Sequence, residues 1–175
     1  MEQRFFEDQL LYFKEHFQPV FLKEYWNMRC CNAPLIKNPI VITFDDGFVD
    51  NWMWAYPLLK KYNLKATIFV SPEFVDQREI VRPNLDDYSR KAASYEEINQ
   101  PGYLSWPEMK LMIGSGLIDI QSHTMSHTKY MVLDNLIGFH HPGNDCLYPV
   151  GNLFPHLKPY HISDKYFERM IPYGY

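Results

Sequence analysis

The sequence carries the stretch IVITFDDG at residues 40–47. Its first five residues are β-branched or apolar and follow a loop rich in Asn and Pro, which predicts a strand buried on both faces. Asp45, Asp46 and Gly47 come directly after this strand. An Asp-Gly pair is also a strong hairpin signal, so a simple turn is the alternative to a functional site. The residues after Gly47 are typical of a helix rather than of a returning strand, which argues against the hairpin.

Apolar runs predict a second strand at residues 66–70 and a third at residues 117–121. Residues 50–62 are typical of a helix with a kink or restart at Pro57. The sequence SWPE at residues 105–108 is a capping box with proline in the first turn, which predicts the start of another helix. Strands that alternate with helices in this way predict an α/β fold with a parallel sheet and right-handed crossovers.

Further patterns lie on either side of these elements. Apolar residues at spacings of four, three and four predict a helix over residues 2–17, and a short helical turn is expected at residues 22–26. The polar segment at residues 71–100 is too long for a plain connection, which favours a functional loop or a lid. The helix that starts at the capping box is expected to carry three apolar residues on one face: Trp106, Met109 and Ile113.

Length and composition narrow the class of protein. The chain has 175 residues, is 46% hydrophobic and carries a formal net charge of −4, so we expect a single globular domain over residues 1–175 that does not bind nucleic acid. No apolar run has the length of about eighteen residues that a membrane-spanning helix needs. The N-terminal residues have no apolar signal region, and the three cysteines form no disulfide framework, so we expect a cytoplasmic location.

Two polar clusters are expected to meet in this fold. Asp45 and Asp46 follow the first predicted strand, while His123 and His127 follow the third. The loops after parallel strands emerge at one edge of the sheet, where active sites lie. Histidines four residues apart can face one point if their segment turns helically, although such a pair is often only a surface feature. The sequence therefore predicts a shared site.

Two imidazoles and one carboxylate make a three-ligand site for a divalent metal with coordination positions left open, as catalytic sites have. Such an ion lowers the pKa of water bound to it and polarises a carbonyl oxygen. The second carboxylate can then act as general base, because successive side chains of an extended segment point in different directions. Spacing alone leaves open which aspartate has which role.

The sequences TFDDG at residues 43–47 and SHTMSH at residues 122–127 resemble the first two motifs of the polysaccharide deacetylases, carbohydrate esterase family four. The similarity extends over about residues 2–130. It implies a distorted (β/α) barrel, incomplete in this chain, and a divalent metal, usually zinc. It also implies one role for each matching residue: Asp45 is the catalytic base, and the metal ligands are Asp46, His123 and His127.

The C-terminal part matches this family less well. Arg169, Pro172 and Tyr173 partly match the third motif, which braces the base and supplies an oxyanion amide, but the arginine is one position too far away. The motif that provides the general acid would come later than these residues. Either this part of the domain is absent, or a late histidine replaces the acid: His140, His141, His156 or His161. We expect the loop at residues 138–160, or a second copy of the chain, to cover the open sheet edge.

The activity implied by the resemblance is metal-dependent removal of an N-acetyl group from an amino sugar in a glycan, a glycolipid or a cell-surface polysaccharide precursor. Two alternatives stay open. One is a hydrolase of other non-peptide carbon–nitrogen bonds on the same scaffold. The other is a glycan-binding module with impaired catalysis. The expected partners are the N-acetylated sugar substrate and further copies of the chain in a homo-oligomer.

Overall fold

The computed structural model describes residues 3–125, and in addition the backbone pairing of residues 138–139 with 172–173. Seven strands are present in this part of the chain: β1 (Gln18–Pro19), β2 (Pro39–Ile40), β3 (Thr43–Phe44), β4 (Ala66–Val70), β5 (Ile118–Ser122), β6 (Gly138–Phe139) and β7 (Pro172–Tyr173). The α-helices of the same part are α1 (Gln3–His16), α2 (Leu22–Cys30), α3 (Tyr56–Tyr62), α4 (Leu85–Ser89), α5 (Tyr95–Ile98) and α6 (Trp106–Gly114).

The central sheet has the strand order β3-β4-β5, and both pairings are parallel. Thr43 lies opposite Thr67, and Ala66 lies opposite Ile118. The middle strand β4 is almost entirely buried, as its run of β-branched and apolar residues predicts. The prediction of a parallel α/β sheet is therefore confirmed for the described residues, and the predicted second and third strands are found within one residue of their predicted bounds.

The predicted strand at residues 40–44 is divided into two. Pro39–Ile40 pairs with β1, whereas Thr43–Phe44 pairs with β4, and residues 41–42 connect the two pairings. Thr43 is exposed and Phe44 is only half-buried. The prediction of one strand buried on both faces was wrong here because the segment changes its partner strand, which is a tertiary effect that local pattern does not contain.

The helix predicted at residues 50–62 is present as a π-helix at Asn51–Ala55 that continues into α3. Pro57 has no backbone N–H to donate, and the helix changes from π-helical to α-helical hydrogen bonding next to it, at Tyr56. This change corresponds to the predicted restart. This helical segment carries a large share of the core, including Trp52, Met53 and Leu59. The short helical turn predicted at residues 22–26 is the longer helix α2.

Helix α6 begins with the predicted capping box. The Ser105 hydroxyl accepts a hydrogen bond from the backbone N–H of Glu108, and the Glu108 carboxylate accepts one from the backbone N–H of Ser105. Of the three apolar residues predicted to share one face, Met109 is buried, whereas Trp106 and Ile113 are exposed. The buried face consists of Glu108, Met109 and Met112. Glu108 can be buried there because its carboxylate binds the guanidinium of Arg82.

The polar segment at residues 71–100 is ordered rather than irregular. It contains a 3₁₀-helix at Pro72–Phe74 and the short helices α4 and α5. Apolar side chains anchor it, and Val75, Leu85 and Ile98 belong to the main core. The backbone N–H of Asp76 also donates to the carbonyl oxygen of Leu104. The segment is therefore packed against the domain along its length.

The sequence predicted an incomplete barrel and a loop that covers its open sheet edge. The strands of the described residues form three separate sheets and no closed barrel. Strand β7 pairs antiparallel with β6, and the rest of the loop predicted to cover the open edge lies outside the described residues. None of the helices in the described part has both the length and the apolar character needed to cross a membrane.

Candidate active site

The chain reverses direction sharply at Asp46 and Gly47, directly after β3. Both residues have positive φ angles, 67° and 74° respectively. The backbone N–H of Gly47 donates to the carbonyl oxygen of Asp45 at 2.9 Å, so the hydrogen bond spans three residues, as in a γ-turn. A positive φ costs a residue other than glycine about 1–2 kcal/mol, and aspartate is one of the few that adopt it. The turn therefore holds the Asp46 carboxylate in a strained position next to the strand end.

Glycine is required at position 47 for a second reason. A Cβ at this position would lie 2.8 Å from Cγ1 of Val70, at the end of the neighbouring strand β4. Only the absence of a side chain lets the turn approach β4 this closely. The close approach brings the two aspartates to the edge of the sheet where β4 and β5 end.

His123 reaches the same edge from β5. Its backbone N–H donates to the carbonyl oxygen of Val70 at 2.8 Å. Its Nε2 atom lies 3.9 Å from Oδ1 of Asp46. The carboxyl ends of parallel strands thus bring together two residues that are far apart in sequence, as predicted.

The surroundings of Asp46 and His123 are partly shielded from water. Their side chains are 24% and 28% exposed, and Oδ1 of Asp46 is a buried atom. Asp45, one residue before, is exposed. The two adjacent aspartates therefore differ in environment. The reason lies in the turn at Asp46 rather than in an extended segment, which corrects the local geometry assumed from the sequence.

The distance between Oδ1 of Asp46 and Nε2 of His123 can be compared with that between two ligands of one metal ion. Zinc binds imidazole nitrogen at about 2.0–2.1 Å and carboxylate oxygen at about 2.0–2.2 Å, so in tetrahedral geometry two ligand atoms of one ion are about 3.4 Å apart. The 3.9 Å between Asp46 and His123 is about half an ångström longer, so a small side-chain movement would bring both atoms to one ion. Within residues 3–125 no third His, Cys, Asp or Glu completes a metal-binding group. The predicted third ligand, His127, lies outside the described residues.

The third-motif residues belong to the C-terminal part of the chain. Arg169 lies outside the described residues, and so do the late histidines. For Pro172 and Tyr173 only the backbone pairing with Gly138 and Phe139 is described. Their predicted role in binding the oxyanion stays a prediction.

Tyr103 lies beside the aspartate turn, although no sequence motif pointed to it. Its backbone forms an isolated antiparallel bridge with Phe48, and its ring stacks on the Phe48 ring at a centroid distance of 5.2 Å. The ring also lies 4.8 Å from that of Phe74. Burial, and to a smaller extent the negative charge of Asp46, raise the pKa of Tyr103 to about 12. The phenol is therefore neutral at physiological pH.

A buried ion pair is hydrogen-bonded to the backbone of Tyr103. The Arg82 guanidinium donates to both carboxylate oxygens of Glu108 at 2.8 and 2.6 Å, and to the carbonyl oxygen of Tyr103 at 2.7 Å. The Glu108 side chain is completely buried, and that of Arg82 is nearly so. A bidentate pair of this kind fixes the orientation of both groups. It attaches the segment before α6 to the first turn of that helix.

A pocket of about 540 Å³ opens next to this network. Tyr103 forms one wall, together with Pro101 and Gly102. Polar side chains form the rest: Asp76, Gln77, Arg78 and Arg82. The Arg78 guanidinium donates to the Asp76 carboxylate and holds the pKa of that carboxyl below its usual range.

Residues 32–136 match the polysaccharide deacetylase family. This range includes the aspartate turn, His123 and the three strands of the central sheet. The chain belongs to this family, and the resemblance of the two motifs to it is confirmed.

Similar proteins agree with this assignment. The protein YxkH of Bacillus subtilis (strain 168), named for the polysaccharide deacetylases, is 35% identical over 88 residues, which is 50% of this chain and 23% of that protein. The structure of IcaB from Ammonifex degensii covers 73% of this chain and 47% of its own, with 24% identity and a TM-score of 0.56. The Streptococcus pyogenes deacetylase PplD, solved in complex with acetate, covers 71% and 46%, with 26% identity and a TM-score of 0.53.

These likenesses show that the chain shares the fold of the deacetylases. The chain spans less than half the length of the solved structures and less than a quarter of the length of the curated relative. The family and the fold are therefore established for this chain.

Proposed function

We propose that the chain is a carbohydrate deacetylase that removes the N-acetyl group of an amino sugar with the help of one divalent metal ion, most favourably Zn²⁺. One observation carries the proposal. In a chain of the polysaccharide deacetylase family, a carboxylate oxygen of the aspartate turn lies 3.9 Å from a histidine nitrogen at the carboxyl edge of a parallel sheet. A catalytic zinc site has three protein ligands and an open position, and this pair would supply two of the ligands beside an exposed carboxylate that can act as base.

The residues have separate roles. Asp46 and His123 would hold the ion, with His127 as the third ligand predicted by the sequence. When bound, the ion would supply Lewis acidity that polarises the acetamide carbonyl and makes water a better nucleophile. The γ-turn keeps the Asp46 carboxylate directed by the backbone rather than by a flexible side chain alone. This preorganisation reduces the entropy that is lost when a ligand set assembles.

Asp45 would act as the general base. It takes a proton from the attacking water, whose oxygen forms the new bond to the acetyl carbon. The carbon–nitrogen bond then breaks, the nitrogen takes up the proton that Asp45 received and leaves as the amine of the sugar, and the acetyl group is released as acetate. A carboxylate suits this role because it is exposed and adjacent to the metal ligand.

The test combines metal content with acetate release from an N-acetylglucosamine oligomer. The protein is loaded with Zn²⁺, dialysed and measured by elemental analysis, and acetate is measured enzymatically. We expect one ion per chain and release of acetate. His123→Ala should lose most of the metal, whereas His16→Ala on the exposed face of α1 should keep it.

The outcomes separate the alternatives. Bound metal without acetate release, together with binding of the oligomer, would favour an impaired glycan-binding module. Bound metal with hydrolysis of a small non-sugar amide only would favour the second class of hydrolase. A metal content that His123→Ala leaves unchanged would contradict the proposed site.

A further inference from the structure

We infer that the adjacent thiols of Cys30 and Cys31 form a binding site for one soft, thiophilic metal ion of the Cu⁺ type. Both side chains are exposed, and neither is in a disulfide. They lie at the end of α2, where Cys30 is the last helical residue and Cys31 is the C-cap. The inference does not rest on the proposed function, because neither thiol belongs to the candidate active site.

Helix α2 holds the two thiols on an anchored backbone. At its start, the N–H of Leu22 donates to Oγ1 of the buried Thr67 in the central sheet, at 3.2 Å. At its end, the N–H groups of Cys31 and Ala33 both donate to the carbonyl oxygen of Asn27, at 3.0 and 3.2 Å. None of the helical residues is buried. The backbone that carries the thiols is therefore fixed, while the sulfurs stay accessible to an ion in solution.

The spacing of the pair favours a bridging ion over a disulfide. Neighbouring Cα atoms lie about 3.8 Å apart across a trans peptide, whereas those of a disulfide are usually about 4.4–6.8 Å apart. A disulfide between adjacent residues would therefore distort the end of the helix. An ion that binds two sulfurs at about 2.3 Å each, as zinc does, accepts them up to about 4.6 Å apart, compared with about 2.05 Å in a disulfide. The ion can bridge the thiols without that distortion.

The two sulfurs can reach one ion because only one of them is on a helical residue. Side chains of adjacent helical residues do not face each other. Cys31, however, is the C-cap with a φ of −121° and a ψ of 20°, so its side chain does not continue the helical rotation. Each sulfur also turns about a single bond, χ1, between three staggered positions. Binding one ion thus fixes only two side-chain angles.

The number and type of ligands indicate the class of ion. Thiolates select soft ions such as Cu⁺, and Cu⁺ is stable with two sulfur ligands. A structural zinc ion takes four ligands, and the described part of the chain holds no group of three metal-binding side chains. Oxygen and nitrogen ligands, such as those of Asp46 and His123, suit harder ions. The two sites therefore select different metals.

The end of the helix also favours a cation. The last carbonyl groups of a helix carry a partial negative charge equivalent to about half an elementary charge. A cation held by Cys30 and Cys31 lies next to these groups, and it offsets the charge of the two thiolates as well. An anion would be repelled at the same place.

The binding test measures Cu⁺ affinity by competition with a chromophoric Cu⁺ chelator, under anaerobic conditions with ascorbate as reductant. We expect one Cu⁺ per chain, and we expect Cys30→Ser and Cys31→Ser each to bind it about 10²–10⁴-fold more weakly, because one thiolate has no chelating neighbour. Cys146→Ser is the matched control, since Cys146 has no adjacent cysteine in the sequence, and it should bind like the wild type. Equal affinity in all four proteins would overturn the site. One Cu⁺ per two chains would overturn its assignment to a single chain.

A protection experiment locates the ion on the wild-type protein. The thiols are alkylated with N-ethylmaleimide with and without one equivalent of Cu⁺, and the modified residues are identified by mass spectrometry. We expect Cu⁺ to slow the alkylation of Cys30 and Cys31 at least tenfold and to leave that of Cys146 unchanged. Alkylation of the pair at the same rate with and without Cu⁺ would overturn the inference. Because no substitution is involved, a folding defect cannot explain either result.

Discussion

Gly47, in the turn after β3, lies so close to Val70 at the end of β4 that a Cβ on the glycine would be 2.8 Å from Cγ1 of the valine. The same valine accepts the backbone hydrogen bond of His123 through its carbonyl oxygen. Its side chain therefore contacts the aspartate turn, and its backbone holds the histidine. Val70 of β4 is thus a common neighbour of the two segments that carry Asp46 and His123.

The first prediction concerns Gly47→Ala. The substitution adds a methyl group against Val70 at a position with a φ of 74°, so it combines backbone strain with overpacking. We expect the free energy of unfolding to fall by about 2–4 kcal/mol, measured by urea denaturation. Gly116→Ala is the matched control, because Gly116 has nearly the same φ of 73° with no atom within 4 Å of the added Cβ. Equal losses in the two variants would show that the contact with Val70 does not matter.

The second prediction separates the aspartate roles. Asp45→Asn should bind Zn²⁺ like the wild type and lose turnover by about 10²–10⁴-fold, because a general base is not needed to hold the ion. His127→Ala should lose both metal and turnover. Elemental analysis and acetate release measure the two properties on the same samples. Equal loss of metal in the two variants would show that the roles are wrongly assigned.

The third prediction concerns the buried ion pair. Glu108→Ala leaves the Arg82 guanidinium nearly buried without its bidentate partner, so we expect about 3–5 kcal/mol of destabilisation. The control is Lys60→Ala, which breaks the exposed pair with Asp86 and should cost about 0–1 kcal/mol. Thermal unfolding compares the two.

A double variant tests the cause of that loss. Replacing Arg82 and Glu108 together with methionine removes both charges, and we expect it to be more stable than Glu108→Ala alone. If the double variant is no more stable, packing rather than the unpaired charge explains the loss.

The fourth prediction is a pH dependence. The hydrogen bonds from Arg78 hold the pKa of Asp76 below its usual range. A lowered carboxyl pKa stabilises the fold above the unfolded-state pKa of about 4, and this contribution is lost as the pH falls through the lower folded-state value. Asp76→Asn should therefore be less stable than the wild type at pH 6, with a smaller difference near pH 3. A difference that stays constant between these pH values would contradict the shift.

The parts of the fold that the sequence predicted correctly are those set by local pattern. Strand β4 has an uninterrupted β-branched and apolar run, and the capping box at Ser105 requires only residues within one turn. The break in the strand at residues 40–44 depends on β1, which lies more than twenty residues earlier. The buried face of α6 depends on Arg82, since without this partner a glutamate is not expected in the core.

The residues of the candidate site also divide into those that local pattern predicts and those that depend on distant contacts. The motifs that contain Asp46 and His123 are short and specific, and each directly follows a recognisable strand, so local pattern is enough to place them at strand ends. Tyr103 has no such motif, because its position results from backbone pairing with Phe48 and from its contact with Phe74. The one local sign of a ring partner is the aromatic side chain of Phe48, directly after Gly47.

The order of strands in the sheet also has a consequence for how the site assembles. Thr43 and Thr67 are 24 residues apart along the chain, whereas Ala66 and Ile118 are 52 residues apart. Doubling the length of a closed loop costs about 0.6 kcal/mol more chain entropy, which favours closing the shorter loop first. Strand β5, which His123 directly follows, then pairs with a β3-β4 unit that has already formed. A chain in the course of folding would thus present its aspartates before it has the histidine to complete the pair, so that binding of the proposed metal ion would mark a late stage of folding.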